Sequence, residues 1–346
     1  MKCMSKILLP LAALLWMGSA QAGNPQRVGS AGAPELLINP WARSTGWGSV
    51  NLAGVSGVDA TYLNIAGITS TDNLDVGFTN TQWLIGAGIT INSAALTKTV
   101  GSNGVLSGSI TSFNYGEFIR TNEQNPEGGI GTVSPNTSII RAGYAQKFTE
   151  SIRGGVNIKL YSTNIVDMRV TTAVVDAGVQ YVAGDEDQVK FGFTLRNVGP
   201  SAQYRGDGQS VTLQVPHSNY AQAFNERSAA YEVPATLGIG ASYDFNFSDQ
   251  QLTLAGSFIS NSFETDRYTA GAQYSLKNFL QLRAGYTFFN TQGQVESNNV
   301  FSGLSAGMSL DVPLGEDKDK SFTLDYSYQT TKAFDGVHSI GVAIKI

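Results

Sequence analysis

The last nine residues, HSIGVAIKI, place Ile340, Val342, Ile344 and Ile346 on one face of an extended chain and Ser339, Gly341, Ala343 and Lys345 on the other. That strict period of two is the signature of a strand with an apolar face and a wet face. The segment before it, SFTLDYSYQ, repeats the grammar, with Phe322, Leu324, Tyr326 and Tyr328 set against Ser321, Thr323, Asp325, Ser327 and Gln329. Read backwards, the pattern returns at 301–312, 279–289, 267–276, 251–259, 233–247, 189–197, 171–183, 152–161 and 138–148, and less regularly at 105–118, 83–96 and 73–81. Fourteen strands result.

A chain of strands with two dissimilar faces has two ways to bury the apolar one, a soluble sandwich or a barrel in lipid. Charge separates them. Only 14% of residues are charged, against about 25% in an ordinary soluble domain, and the second face of most strands is Gly, Ser, Thr or Gln rather than a charged exterior. No apolar run after the N-terminal leader reaches the ~18 residues of a spanning helix, so a closed barrel, which satisfies every backbone hydrogen bond between strands, remains. The expected fold is all-β, a 14-stranded antiparallel transmembrane barrel, and an even count with both ends periplasmic is the bacterial rule. Connections alternate accordingly. Those assigned to the periplasm are brief (149–151, 184–188, 248–251, 276–278, 313–320), whereas the outer ones include 119–137 and 198–232. Tyr243, Phe245, Phe247 and Phe279 fall beside predicted periplasmic turns, as an interfacial girdle requires.

Residues 1–22 read as a secretory signal: Lys2 and Lys6, an apolar run from Ile7 to Met17, then Ala20-Gln21-Ala22. The single cysteine, Cys3, lies within it, which removes disulfides, thiolate metal sites and cysteine catalysis from the rest of the chain. Loss of Lys2 and Lys6 takes the formal charge from −5 to −7, and nothing suggests a nucleic-acid partner. His217 and His338, the only histidines, have no carboxylate cluster at ligand spacing; the acidic turns lack the order of a calcium loop and no G-x-S-x-G elbow occurs. No catalytic residue, metal ligand or cofactor is expected, and the reading is non-enzymatic.

Between leader and barrel lies 23–72, of which residues 38–68 fit neither a good helix nor a good strand. A fourteen-stranded barrel is too wide for its own inward side chains to fill, since eight strands already suffice for that. A segment rich in small residues is therefore expected to fold into the lumen as a plug, with the barrel occupying 73–346; a disordered periplasmic tail is the competing reading. Gly46, Gly48, Gly54 and Gly57 allow tight turns, Trp41 and Trp47 supply packing area, and Arg43 is a partner for Asp176, Asp311 or Asp325. On the same parity Arg141, Lys147, Arg153, Lys159, Lys190, Arg196, Arg283 and Lys345 face inward, either to pair with wall and plug carboxylates or to bind an anionic group.

The stretch PELLINPWARSTGWGSVNLAGVSGVDATYLNIAGI resembles the N-terminus of the PorV/PorQ family of Bacteroidetes outer-membrane proteins, which are similar to FadL-type fourteen-stranded barrels. Pro40, Ala42, Arg43, Gly46, Gly48, Asp59, Ala60, Asn64, Ala66 and Gly67 stand at the places of the family pattern, with Ile65 where many members have proline. NTQWLIGAG, KFGFTLRNVGP and VPATLGIGASYDF continue the likeness. The resemblance implies an outer-membrane component or accessory of type IX secretion, set in outer-membrane lipid, with a translocon subunit, a surface-attachment protein and sorting-domain cargo as partners. On that reading the outer loops, with Asn125, Pro126, Tyr204 and Tyr220, carry recognition. The alternative is a FadL-like channel for hydrophobic small molecules, gated by the plug.

Overall fold

A computed structural model describes residue 27 and residues 29–217, 219–277, 279–289, 299–314 and 320–346; the expected signal segment, 1–22, lies outside them. Fourteen long strands form one antiparallel sheet: β1 (Leu74–Trp83), β2 (Ile89–Val100), β3 (Gly104–Asn114), β4 (Asn136–Lys147), β5 (Ile152–Ile165), β6 (Met168–Ala183), β7 (Val189–Val198), β8 (Thr236–Phe247), β9 (Gln250–Asn261), β10 (Arg267–Leu276), β11 (Leu280–Phe289), β12 (Phe301–Pro313), β13 (Ser321–Thr331) and β14 (Val337–Lys345). Each pairs with its neighbours in sequence, and β1 pairs with β14 from Asp75 opposite Lys345 to Gln82 opposite His338. The sheet is thereby closed, and no long edge is left open to aggregation.

Alternation decides the two surfaces. In β1 Asp75, Gly77, Thr79 and Thr81 are buried while Val76 and Phe78 are exposed. Leu106, Ile140, Ile158, Leu195, Leu282 and Ile340 continue the exposed apolar band, and Phe148, Phe247 and Phe279 mark its rim at the short-turn end. No helix among the described residues is long and apolar enough to cross a membrane; the strands do so.

The expected strands are all present, with shifts at their ends. Trp83 closes β1 instead of opening β2, because Leu84 takes a left-handed φ of 51° and Gly86 and Gly88 follow with φ of 100° and 71°, making 84–88 a turn. Strands β5 and β6 run on through polar residues that look like loop and meet at a tight turn, Val166–Asp167. Not every connection at that end is therefore long. The two longest, 115–135 and 199–235, carry small ribbons, Phe118–Ile119 with Thr132–Val133 and Ser210–Gln214 with Ala221–Asn225.

The ladder shifts register at two places, between Phe301 and Ser305 on β12 against β13 and, beside the plug, between β6 and β7. Between β6 and β7 the register slips from Val175 opposite Val198 to Ala177 opposite Leu195, so Asp176 faces both Arg196 and Asn197. Asn197 adopts φ 60° and donates its N–H to Asp176 Oδ1 at 2.8 Å. Such a bulge re-aims side chains. Beyond it the chain leaves the ladder, and Gly199 lies against Ala173 and Val174 so closely that a Cβ there would stand 2.7 Å from the Ala173 carbonyl oxygen.

Candidate functional site: the plug and the two cavities beside it

Residues 29–72 fill the lumen as a string of short turns: 3-10 helices at Pro34–Leu37, Gly57–Asp59 and Ile65–Ser70, and single α-turns at Ala42–Thr45 and Ala60–Leu63. None is long enough to be stable alone; burial holds them. Trp41, Leu52, Val55, Val58, Leu63 and Ile68 form one buried cluster with the wall residues Ala95, Val105 and Ala145. At about 2 kcal/mol per large apolar side chain, burial of this cluster favours the seated plug.

Polar contacts set the register. Asn64 donates through Nδ2 to the carbonyls of Leu52 (3.0 Å) and Val179 (3.1 Å) and accepts from Ala66 N–H (3.2 Å), fastening plug to plug and plug to wall. Gly178 makes room for it, since a Cβ there would stand 2.2 Å from Asn64 Oδ1. At Ile65, where proline was the alternative, a 3-10 helix begins under the Asn64 cap. Arg43 spans two wall carboxylates, with Nη2 to Asp311 Oδ1 and Nε to Asp325 Oδ1, both at 3.2 Å. Asp176 is not a partner of Arg43. It takes Lys159 Nζ at 2.6 Å instead, because the bulge holds it beside Arg196 and Asn197 on the far wall.

Of the remaining inward bases, Lys190 pairs with Asp244 at 2.6 Å, and Arg283 is buried, donating to Gln273 Oε1 at 2.7 Å and Ser309 Oγ at 2.5 Å. Arg141 and Arg196 are buried against the Tyr62 ring. Lys147 is exposed at the rim.

The turn Thr45–Ser49 presses on the wall from β10 to β13. Trp47 lies over Gly285, where a Cβ would meet its carbonyl oxygen at 2.3 Å, and Gly46 over Gly307, where a Cβ would stand 2.7 Å from Gly46 Cα. Thr45 Oγ1 and Ser327 Oγ are 2.8 Å apart. This contact divides two cavities. One, about 100 Å³, lies toward the long-loop end and is mixed in character, with Leu37, Ile38, Ile259 and Phe301 beside Tyr62, Arg196, Arg267 and Gln329. The other, about 260 Å³, lies toward the short-turn end and is polar, bounded by Arg43, Asp59, Lys190, Asp244, Gln273 and Arg283.

An apolar layer at the long-loop end went unread in the sequence. Ile91, Phe113, Ile139, Tyr161, Val170 and Val174 point inward and pack on Leu36 of the plug. Ile139 and Tyr161 share parity with Arg141 and Lys159, so the inward assignment already contained them. Glu35 sits in this layer with both oxygens taken by phenols, Tyr115 at 2.5 Å and Tyr161 at 2.9 Å. Tyr204, expected to face a partner, is half-buried and stacks on Tyr231 with ring centroids 5.9 Å apart. Asn125, Pro126 and Tyr220 are exposed.

One plug carboxylate is expected to make seating of the plug depend on pH. Asp59 accepts from Ser44 Oγ at 2.5 Å, and burial pushes its carboxyl up to about 6 despite the counteracting charge of Arg43. Exposed, it ionises near 4. Between about pH 4 and pH 6 a released plug therefore ionises while a seated plug keeps its proton. Seating is favoured at low pH and weakens as pH rises through that window, by on the order of 3 kcal/mol. Current through the barrel in a planar bilayer is expected to grow from pH 4.5 to pH 7 and to stay flat in Asp59→Asn; an identical pH curve in that variant would remove Asp59 from the account.

No family model matches the chain, and no curated protein does. Solved structures do match in fold. The toluene transporter TodX of Pseudomonas putida aligns with a TM-score of 0.55 at 14% identity, over 89% of this chain and 97% of that one. The Ralstonia pickettii toluene transporter TbuX gives 0.52 at 11%, again over 89% and 97%, and the CymD monoaromatic hydrocarbon channel 0.50 at 14%, over the same shares. At these identities the likeness concerns the fold.

Proposed function

We propose that this chain is a plugged outer-membrane channel that admits compact, largely apolar solutes. The observation that carries the reading is the pair of cavities beside the plug, one toward the long-loop end where Leu37, Ile38, Leu63, Ile259, Phe289 and Phe301 share the wall with polar groups, and a polar one toward the short-turn end, separated by the single turn Thr45–Ser49. The long-loop end is taken as extracellular and the short-turn end as periplasmic. The upper cavity, about 100 Å³, is smaller than the roughly 150 Å³ apolar cavity that holds benzene. A monoaromatic solute thus enters only as the plug shifts, and shifting the turn joins the two cavities. The fold shared with toluene transporters supports the same reading, which is preferred here to type IX secretion.

One feature favours the secretion reading. The ribbon Ser210–Gln214 with Ala221–Asn225 projects with Val211, Leu213 and Phe224 all exposed, a surface suited to a protein partner. Affinity purification of the tagged barrel from solubilised outer membrane, with mass spectrometry of lipids and proteins, separates the two. A stoichiometric small apolar molecule is the expected result. A co-purifying large translocon subunit that is lost when 207–227 is deleted would establish the secretion role instead.

A further inference from the structure

Ion pairing absorbs part of the basic lining; of the buried arginines it leaves, Arg283 is satisfied by Gln273, Gln281 and Ser309, and the other two stand together. Arg43 is held by Asp311 and Asp325, Lys190 by Asp244, and Lys159 by Asp176. Among the described residues Arg141 and Arg196 join no carboxylate. They stand at one level of the wall: Arg141 is opposite Lys159 in the β4–β5 ladder, and Asp176 meets Arg196 across the bulge. Tyr62 of the plug reaches into this row, its ring centroid 5.9 Å from Arg141 Cζ, 6.0 Å from Lys159 Nζ and 5.0 Å from Arg196 Cζ. Three cations thus share one carboxylate, and that carboxylate is already engaged by Lys159 and the Asn197 N–H.

All three cations are buried, Arg141 at 4%, Lys159 at 1% and Arg196 at 6% exposure. A guanidinium does not shed its proton to escape burial, so the excess positive charge persists in a setting where unpaired charge is strongly unfavourable. The donors confirm the imbalance. Arg141 Nη1 donates to Thr111 Oγ1 at 2.7 Å, but Nε and Nη2 are buried without a partner, as is Arg196 Nε. Nε and Nη2 form one edge of the guanidinium, the parallel pair of N–H groups that matches two oxygens of a carboxylate or phosphate.

We propose that this junction of plug and wall is an anion site, in which a carboxylate or another compact anion takes the Nε–Nη2 edge of Arg141 with Arg196 as the second donor. Tyr62 is its cover. Tyr62 and Arg196 both line the cavity toward the long-loop end, so a rotation of the ring opens that cavity onto the Arg141 edge. The neutral ring holds the cations through its face alone, whereas an anion makes charge-assisted hydrogen bonds, which are the stronger contact. Anion binding and the seating of the plug at Tyr62 are consequently linked. The site does not depend on the barrel conducting any solute.

The test uses the full chain in detergent, with unfolding temperature measured at constant ionic strength while chloride, phosphate or benzoate replaces a bulky inert anion. A saturable rise in the parent, abolished in both Arg141→Gln and Arg196→Gln, is expected. Without added anion both variants should unfold no earlier than the parent, because each loses an unpaired charge; an arginine with a merely structural role gives the opposite sign. Saturation by chloride or phosphate identifies an inorganic counter-ion as the source, and saturation by benzoate alone identifies an organic acid. A flat response in the parent to all three, or the same rise in both variants, overturns the site. Should the variants fail to assemble, bromide and, separately, 4-bromobenzoate soaked into crystals of the parent decide it: anomalous density from either anion at the Arg141–Arg196 junction supports the site, and none from both refutes it.

Discussion

Arg43→Ala is expected to raise the current through the barrel in a planar bilayer about a hundredfold while leaving the barrel assembled. Asp311 and Asp325 converge on this one guanidinium. They keep other donors, Gln281 and Thr323 on Asp311 and Ser309 on Asp325, but no other cation pairs with them among the described residues. Removing one partner from such a buried group costs about 3 kcal/mol or more, and each 1.4 kcal/mol is a factor of ten in the open population. Arg43→Lys restores charge but not the two-pronged reach, so an intermediate current is predicted. A current unchanged in Arg43→Ala would mean that apolar burial alone closes the lumen.

Gly67→Ala is the sharper steric test. A Cβ at Gly67 would stand 2.1 Å from the carbonyl oxygen of Val55 and 2.9 Å from Ala60 Cβ, and a backbone oxygen cannot swing aside as a side chain can. Overpacking of this kind costs roughly 3 kcal/mol, borne by the plug and not by the barrel ladder. Protease added to the purified variant should cleave within 38–72 while the strands stay protected, with the parent resistant in both regions. Equal resistance would show that the Val55–Gly67 contact is not needed for seating.

How much of this was legible from residues alone differs between wall and plug. The wall was readable because lipid and lumen impose opposite chemistry on alternate positions: Ile340, Val342 and Ile344 against Ser339, Gly341 and Lys345 needs no tertiary information. Where the outward face carries no apolar residues the signal fades, which is why the polar tops of β5 and β6 passed for loop. The Trp83 boundary was lost for a different reason, since Leu84 and Ile85 are as apolar as strand residues and only the left-handed φ of Leu84 turns the chain. The plug has no period at all. Its small residues and tryptophans announced a packed segment, yet the contacts of Asn64 with Val179 and of Gly46 with Gly307 depend on closure of the barrel around it. The same holds for the choice of Asp311 and Asp325 over Asp176 by Arg43. The bulge at Asp176 decided that choice, and nothing in TTAVVDAGVQYVA announces a register slip.

The apolar layer under the long-loop end teaches a related lesson. Ile139 and Arg141 lie on one face of one strand, and the charged residue drew attention to a polar lumen while its neighbour two positions up belongs to an apolar one. Depth along the strand, as well as parity, sets the environment.

On the proposed function, solute passes when the turn Thr45–Ser49 leaves the wall. Thr45 and Ser327 touch through their hydroxyls at 2.8 Å, which makes them the pair to replace by cysteine for a cross-link between plug and wall, and the one native cysteine, Cys3, falls in the segment expected to be a leader. Cells carrying Thr45→Cys with Ser327→Cys should take up labelled toluene no faster than cells lacking the barrel when oxidised, and recover the parent rate on reduction. Uptake equal in the two redox states, and above that of cells without the barrel, would contradict the account by showing a path that does not require the plug to move.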